Sequence, residues 1–116
     1  MVRTQSVQVV VVPIADRHQE YARKVAEELR GKGLRVHVDD RSESTRYKIR
    51  EAQVQKVPYM IVVGDKEVEA GNLSVRHRHA GDLGAEAVSA FGDRVARMAA
   101  ERVLAEEASP NPGGVS

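Results

Sequence analysis

Cysteine is absent from the 116 residues, and with it go a disulfide framework, a thiolate nucleophile and a cysteine-type zinc site. Aromatics are scarce: there is no Trp, and only Phe91, Tyr21, Tyr47 and Tyr59 are present. A sheet face that grips single-stranded nucleic acid by stacking bases on several rings is therefore not expected. A dominant charge is missing too, with Lys plus Arg at 18 against Asp plus Glu at 17 and a net charge of +1. Any polyanion must then be bound by local clustering rather than by overall charge. No apolar stretch is long enough to span a bilayer, since the longest, "VQVVVVPI" at 7–14, is interrupted by Gln8 and Pro13. Nothing has the pattern of a cleaved signal peptide, so a soluble, cytoplasmic chain without membrane attachment is expected. No GxGxxG, P-loop or GxSxG sequence occurs, and no cofactor is expected.

What remains is enough for one domain with a single core. The β-branched run at 7–14 reads as a strand buried on both faces, the type found in sheets covered by helices. Asp16 with Gln19 three residues later has the form of a capping box. Behind it Tyr21, Val25 and Leu29, with Ala22 and Ala26, make one helical stripe that "GKG" at 31–33 ends. "LRVHV" at 34–38 alternates, with Leu34, Val36 and Val38 inward. A second helix is expected over about 43–55, with Ile49 and Ala52 on a thin apolar stripe. Pro58 stops it, and "YMIVV" becomes the third strand. A hairpin follows, then a last helix over about 84–106 in which Val88, Phe91, Val95, Met98 and Val103 keep near-helical spacing. The order β-α-β-α-β-β-β-α implies a three-layer α/β fold with a mixed five-stranded sheet, mostly parallel, and three helices. Residues 1–6 and the Pro- and Gly-rich residues 107–116 read as disordered or linker flanks of a domain at 7–106.

Chemical motifs are few. Asp39 and Asp40 end a strand, where open α/β sheets place ligands, and a phosphoacceptor site of receiver type would add Asp65 and a Lys. Adjacent strand-end residues point apart, however, and no Lys ends a later parallel strand, so solvation and helix capping account for the pair better. His77 and His79 could offer two metal ligands at i and i+2, but no carboxylate stands at metal-binding spacing beside them, and no metal is expected. "GDLG" at 81–84 reads as a turn before a helix.

Positive charge is clustered: Arg41, Arg46, Lys48, Arg50 and Lys56 fall within sixteen residues, and Arg46 with Arg50 shares a helix face. Two readings stand side by side, a solvated helix face and an electrostatic footprint for a phosphate backbone. In "GDKEVEAGNLSVRHR" at 64–78, a two-residue turn at Ala70 and Gly71 would set Glu69 opposite Asn72, Val68 opposite Leu73 and Glu67 opposite Ser74. Alternation then sends Val68, Leu73 and Val75 to the core, and Glu67, Glu69, Ser74, Arg76 and Arg78 to a polar face. A Glu beside an Arg can be a simple surface ion pair. It also suits nucleobase edges, because Arg donates in a fork and Glu accepts from amino or imino groups.

The stretch "DDRSESTRYKIREAQVQKVPYMIVVGDKEVEAGNLSVRHR" at 39–78 closely resembles the C-terminal anticodon-binding domain of bacterial threonyl-tRNA synthetases, in the class IIa group. "YKIREAQ", "KVPYMIVVGDKEVE" and "VRHR" are its specific parts, and the resemblance extends over about 7–103. It implies an RNA-binding module for the anticodon stem-loop of threonine tRNA, with Arg41, Ser42, Arg50, Lys56, Glu67 and Arg76 near the anticodon bases. Arg46 joins them as added charge near the RNA.

Three departures bear on that expectation. Ser42 stands where the family typically has Asn, Arg46 replaces a usual Gly, and "RTQS" replaces the usual linker before the first strand. An excised domain and a free-standing paralogue both fit, and a synthetase catalytic domain in cis or in trans is an implied partner. The rival expectation is a stand-alone accessory module that uses this surface for a protein. Either way the chain has no room for a class II catalytic core, so no aminoacylation and no catalytic residue are expected of it.

Overall fold

The computed structural model describes residues 8–108, with side chains to residue 98. The expected flank at 1–6 and the side chain of Val103 lie outside the described residues, as does the expected flank at 107–116 except for its first two residues, which are helical and not disordered. Strand β1 (Gln8–Pro13) is almost wholly buried, as its apolar run requires. The chain then makes a short 3-10 turn (Asp16–His18) and helix α1 (Gln19–Gly31), strand β2 (Arg35–Val38) and helix α2 (Thr45–Val54). Strand β3 (Tyr59–Val63), helix α3 (Asp65–Ala70), strands β4 (Asn72–His77) and β5 (Gly81–Ala87), and helix α4 (Val88–Ala108) complete it.

The sheet runs β2-β1-β3-β4-β5, with β1 parallel to β2 and β3, and β4 and β5 antiparallel at one side. The expected three-layer, five-stranded mixed α/β architecture is therefore present, with four helices rather than three. One sheet face carries Val9, Val11, Ile61, Val63, Leu73 and Val75 against α1 and α4, and contains most of the core. The other carries Val10, Val12 and Met60 against Ala52 and Ile49 of α2. No helix among the described residues is long and apolar enough to cross a membrane.

Three expectations are corrected. Residues 65–70 form α3 and not a hairpin strand: Gly71, at φ 71°, closes the helix in the left-handed region, and Val68 is 41% exposed instead of buried. The hairpin lies one element later. β5 occupies residues assigned to a turn and helix, and Gly81 and Gly84, at φ 81° and 90°, hold conformations an α-helix cannot use. Helix α4 consequently starts at Val88, and Met98 is 45% exposed although Val88, Phe91 and Val95 are buried. Finally, Asp16 is not the N-cap. The extended residue is Ala15, whose methyl cannot cap, and its amide donates to His18 Nδ1 at 3.0 Å, the return half of a capping box.

Candidate nucleic-acid interface

On the sheet face that carries Val10, Val12 and Met60, the packed helix among the described residues is α2, which lies against β1. Directly paired residues share a face, so Arg76 beside Met60 and Ser74 beside Val62 continue this surface outward across β4. Asp82 and Ala85 of β5 continue it further. Val62, Ser74 and Arg76 are half-buried, and Asp82 and Ala85 are exposed, which makes a polar shelf beside α2. Arg76 sits across from the fully buried Met60, and its Nε is shielded from solvent with no hydrogen-bond partner among the described residues.

Glu67 reaches the shelf from α3. The backbone is extended at Gly64, where an added Cβ would meet Ile14 Cδ1 at 2.5 Å. The Gly64 amide donates to Glu67 Oε1 at 2.8 Å, and Ser74 Oγ donates to Oε2 at 3.0 Å. Glu67 thus meets the face that carries Arg76 through Ser74, from a helix rather than from the expected hairpin strand. The start of α3 is itself clamped: Asp65 accepts from Arg17 Nε and Nη2 at 3.1 and 2.8 Å, and from His18 Nε2 at 2.7 Å. Since His18 Nδ1 already accepts from Ala15, the ring proton belongs on Nε2. The hydrogen bonds from Arg17, then from His18, hold the Asp65 carboxyl well below the usual carboxylate range.

The five clustered cations divide into two groups. Arg41 is forked onto Asp39 at 2.8 Å through both Nε and Nη2, also meets Glu51, and lies 5.7 Å from the Tyr47 ring centre. Those bonds hold the buried Asp39 carboxyl below its ordinary range and raise the guanidinium above its own. Lys48 is buried and donates its ammonium to the Asp39 carbonyl at 2.9 Å, which ties α2 to the end of β2. These two charges are used internally. Arg46, Arg50 and Lys56 are exposed and form no ion pair with a described residue.

Position separates them as well. Glu51 and Gln55 line a cleft of about 230 Å³ with His37 and Asp39 on the β2 side of α2. Helical spacing sets Arg46 and Arg50 on the side of α2 away from that cleft. Lys56, at φ 65°, follows the helix two residues before Pro58, whose carbonyl accepts the Arg78 amide at 2.9 Å. Arg46, Arg50 and Lys56 thus belong to α2 or the turn after it, the helix packed on the sheet face that also carries Arg76 and, through Ser74, Glu67. Arg41 and Ser42 stand apart, lining a second cleft of about 320 Å³ with Pro13, Gln19, Ser44 and Lys48.

The other motifs find structural partners. Asp39 and Asp65 are engaged by different cations and Asp40 is exposed, so no acidic triad forms. His77 packs edge-on to Tyr59 at 5.0 Å, and its Nδ1 accepts the amides of His79 and Ala80, both at 3.1 Å, bracing the β4–β5 turn. No group of three potential metal ligands occurs among the described residues.

A family model described as "Anticodon binding domain" matches residues 8–98. The chain belongs to the anticodon-binding domain family. Over 98 residues it is 52% identical to a threonine-tRNA ligase of Caldanaerobacter subterraneus, covering 84% of this chain and 15% of the ligase. A ligase of the same description from Syntrophomonas wolfei is 51% identical with the same coverage. This anticodon-binding domain therefore spans about 15% of the length of these relatives. Among solved structures, the RNA-binding domain of threonyl-tRNA synthetase from Cryptosporidium parvum superposes with a TM-score of 0.74 at 26% identity, covering 79% of this chain and 23% of that one. A histidyl-tRNA synthetase from a Nostoc species shares the fold, with a TM-score of 0.73 at 24% identity over 79% of this chain and 22% of that one.

Sequence reasoning set Glu67 opposite Ser74 but missed the helix from which Glu67 reaches it, and it missed Lys48 as an internal tie. It also missed the Arg17–His18–Asp65 clamp. "GDKE" carried a signal for the first: an N-cap glycine with Glu three residues on is a helix-start pattern.

Proposed function

We propose that this anticodon-binding domain recognises the anticodon loop of threonine tRNA, and that any aminoacylation belongs to a catalytic domain outside these 116 residues, in cis or in trans. The observation that carries it is the shelf itself, a sheet face left open among the described residues that holds the Glu67 carboxylate and the Arg76 guanidinium, with exposed, unpaired cations on and just after α2, the helix packed on that same face. Arg46, Arg50 and Lys56 supply phosphate contacts of the kind that set position and salt dependence. Glu67 accepts from base amino or imino groups, and Arg76 donates to base oxygens or ring nitrogens. Arg41, with Nη1 outside its ion pairs, and Ser42 approach the loop from the far side of the α2 N-terminus.

The test is a binding titration with an anticodon stem-loop of threonine tRNA at two salt concentrations, beside a loop whose middle base is changed. The parent prefers the cognate loop, and Arg76→Ala loses about 1–3 kcal/mol of that preference. Equal binding of both loops by the parent overturns base reading. A tight protein complex without stem-loop binding puts the accessory-module reading in its place.

A further inference from the structure

We infer that Ser74 is a positioning residue, which fixes the Glu67 carboxylate at a set distance from Arg76 and so makes the pair selective; this rests on the base-reading role proposed above. Glu67 lies in the first turn of α3, a helix of 6 residues with no buried side chain. A carboxylate on so short and exposed a helix has little packing to select its rotamer. Two hydrogen bonds do so instead. The bond from the Gly64 amide holds Oε1 to the start of its own helix. Among the described residues, only the Ser74 hydroxyl, on Oε2 at 3.0 Å, links the carboxylate to the sheet.

That link matters because of where Ser74 stands. It is two residues before Arg76 on β4, so both side chains project from the same face. With Glu67 tied to Ser74, the acceptor on α3 and the donor on β4 have a spacing set by the strand repeat. Each carboxylate oxygen has about two lone-pair sites. One on Oε1 and one on Oε2 are used, which leaves acceptor capacity for a base. Removing the hydroxyl keeps the charge, the Gly64 bond and every cation of the shelf. It frees only the direction of the carboxylate, so selectivity and affinity separate.

The experiment combines Ser74→Ala, Ser74→Thr and Glu67→Gln with two readouts. In titrations with the cognate and the middle-base-changed stem-loops, Ser74→Ala loses roughly three- to tenfold of the cognate preference, the fold-change expected of one lost hydrogen bond. Its salt slope stays that of the parent, because no phosphate contact changes. Ser74→Thr keeps a hydroxyl on a strand-favouring side chain and restores the preference. On a Glu67→Gln background, Ser74→Ala changes the preference no further, the non-additivity of groups that act as a unit. A Ser74→Ala preference within about twofold of the parent's, below the loss one hydrogen bond predicts, overturns the inference. So does an undiminished effect on the Glu67→Gln background.

The second readout needs no RNA. Three-bond NMR couplings of the Glu67 methylenes report one rotamer in the parent and averaging in Ser74→Ala. Couplings unchanged by the substitution overturn the positioning role even if the parent fails to discriminate between loops, a failure that tells against base reading and not against Ser74.

Discussion

Replacing Asp39 by Asn tests how α2, and with it Arg46 and Arg50, is held. The carboxylate is 6% exposed, accepts two Arg41 bonds at 2.8 Å, and neighbours the ammonium of Lys48, itself 4% exposed. Arg41 is half-exposed and keeps Glu51, so its share of the loss is that of a screened pair, at most ~1 kcal/mol. Lys48 has no such escape. It loses the anion that offsets its burial, a further ~1–2 kcal/mol at the effective dielectric of a protein. The sum, ~1–3 kcal/mol, corresponds to a drop of roughly 5–15 °C in melting temperature for a domain of this size.

The pH dependence carries a sign. Because the folded Asp39 pKa lies below its ordinary value, held there first by the Arg41 bonds, its stabilisation is complete above about pH 4 and is lost as pH falls through the folded value. Circular-dichroism melting at pH 7, and then from pH 5 to 2, should show the parent and Asp39→Asn curves converge in acid. Asp65 is displaced in the same direction and adds an equal decline to both proteins, which leaves the convergence to Asp39. Asp40→Asn, at an exposed neighbour, is the control and melts with the parent. A gap under ~2 °C at pH 7, less than ~1 kcal/mol, or one that persists unchanged to pH 2, refutes the reasoning.

Lys56→Gly separates fold from function by opposite signs. Glycine bears a φ of 65° without strain, so urea unfolding should show stability level or raised by up to ~1 kcal/mol, while affinity for cognate and changed loops falls together and the salt slope flattens by ~0.7. Lowered stability, or loss confined to one loop, contradicts this. Val68→Ser should shift the urea midpoint by no more than ~0.5 kcal/mol, as suits a helix surface, whereas a strand-core valine would cost ~2–3 kcal/mol.

The parallel half of the sheet was legible because its signals are long and redundant. The runs at β1 and β3 and the α1 stripe each span several residues with one period. The second half misled for a physical reason. "EVE" fits alternation as well as one helical turn, and a helix of 6 residues shows no period of its own. Only its ends, the Gly64 start and the left-handed Gly71 stop, distinguish it. "GDLGAEA" has little intrinsic strand preference and becomes β5 through pairing with β4, a contact that composition does not announce. The shelf was partly legible, since Ser74 and Arg76 alternate away from Leu73 and Val75 in either arrangement. Which cations are neutralised was not, because Arg41 and Lys48 differ from Arg46 and Arg50 only in what the fold places beside them.

In β4, Leu73 and Val75 point into the larger core, while Ser74 and Arg76 point onto the open shelf. Phase is therefore shared property. A single residue inserted at the start of the strand would send serine and arginine inward and leucine and valine outward, so the shelf and the core would be lost in one step. The shelf can change its chemistry by altering which residues occupy 74 and 76, but it cannot change their spacing. Its surface chemistry is open to substitution and closed to insertion or deletion within the strand.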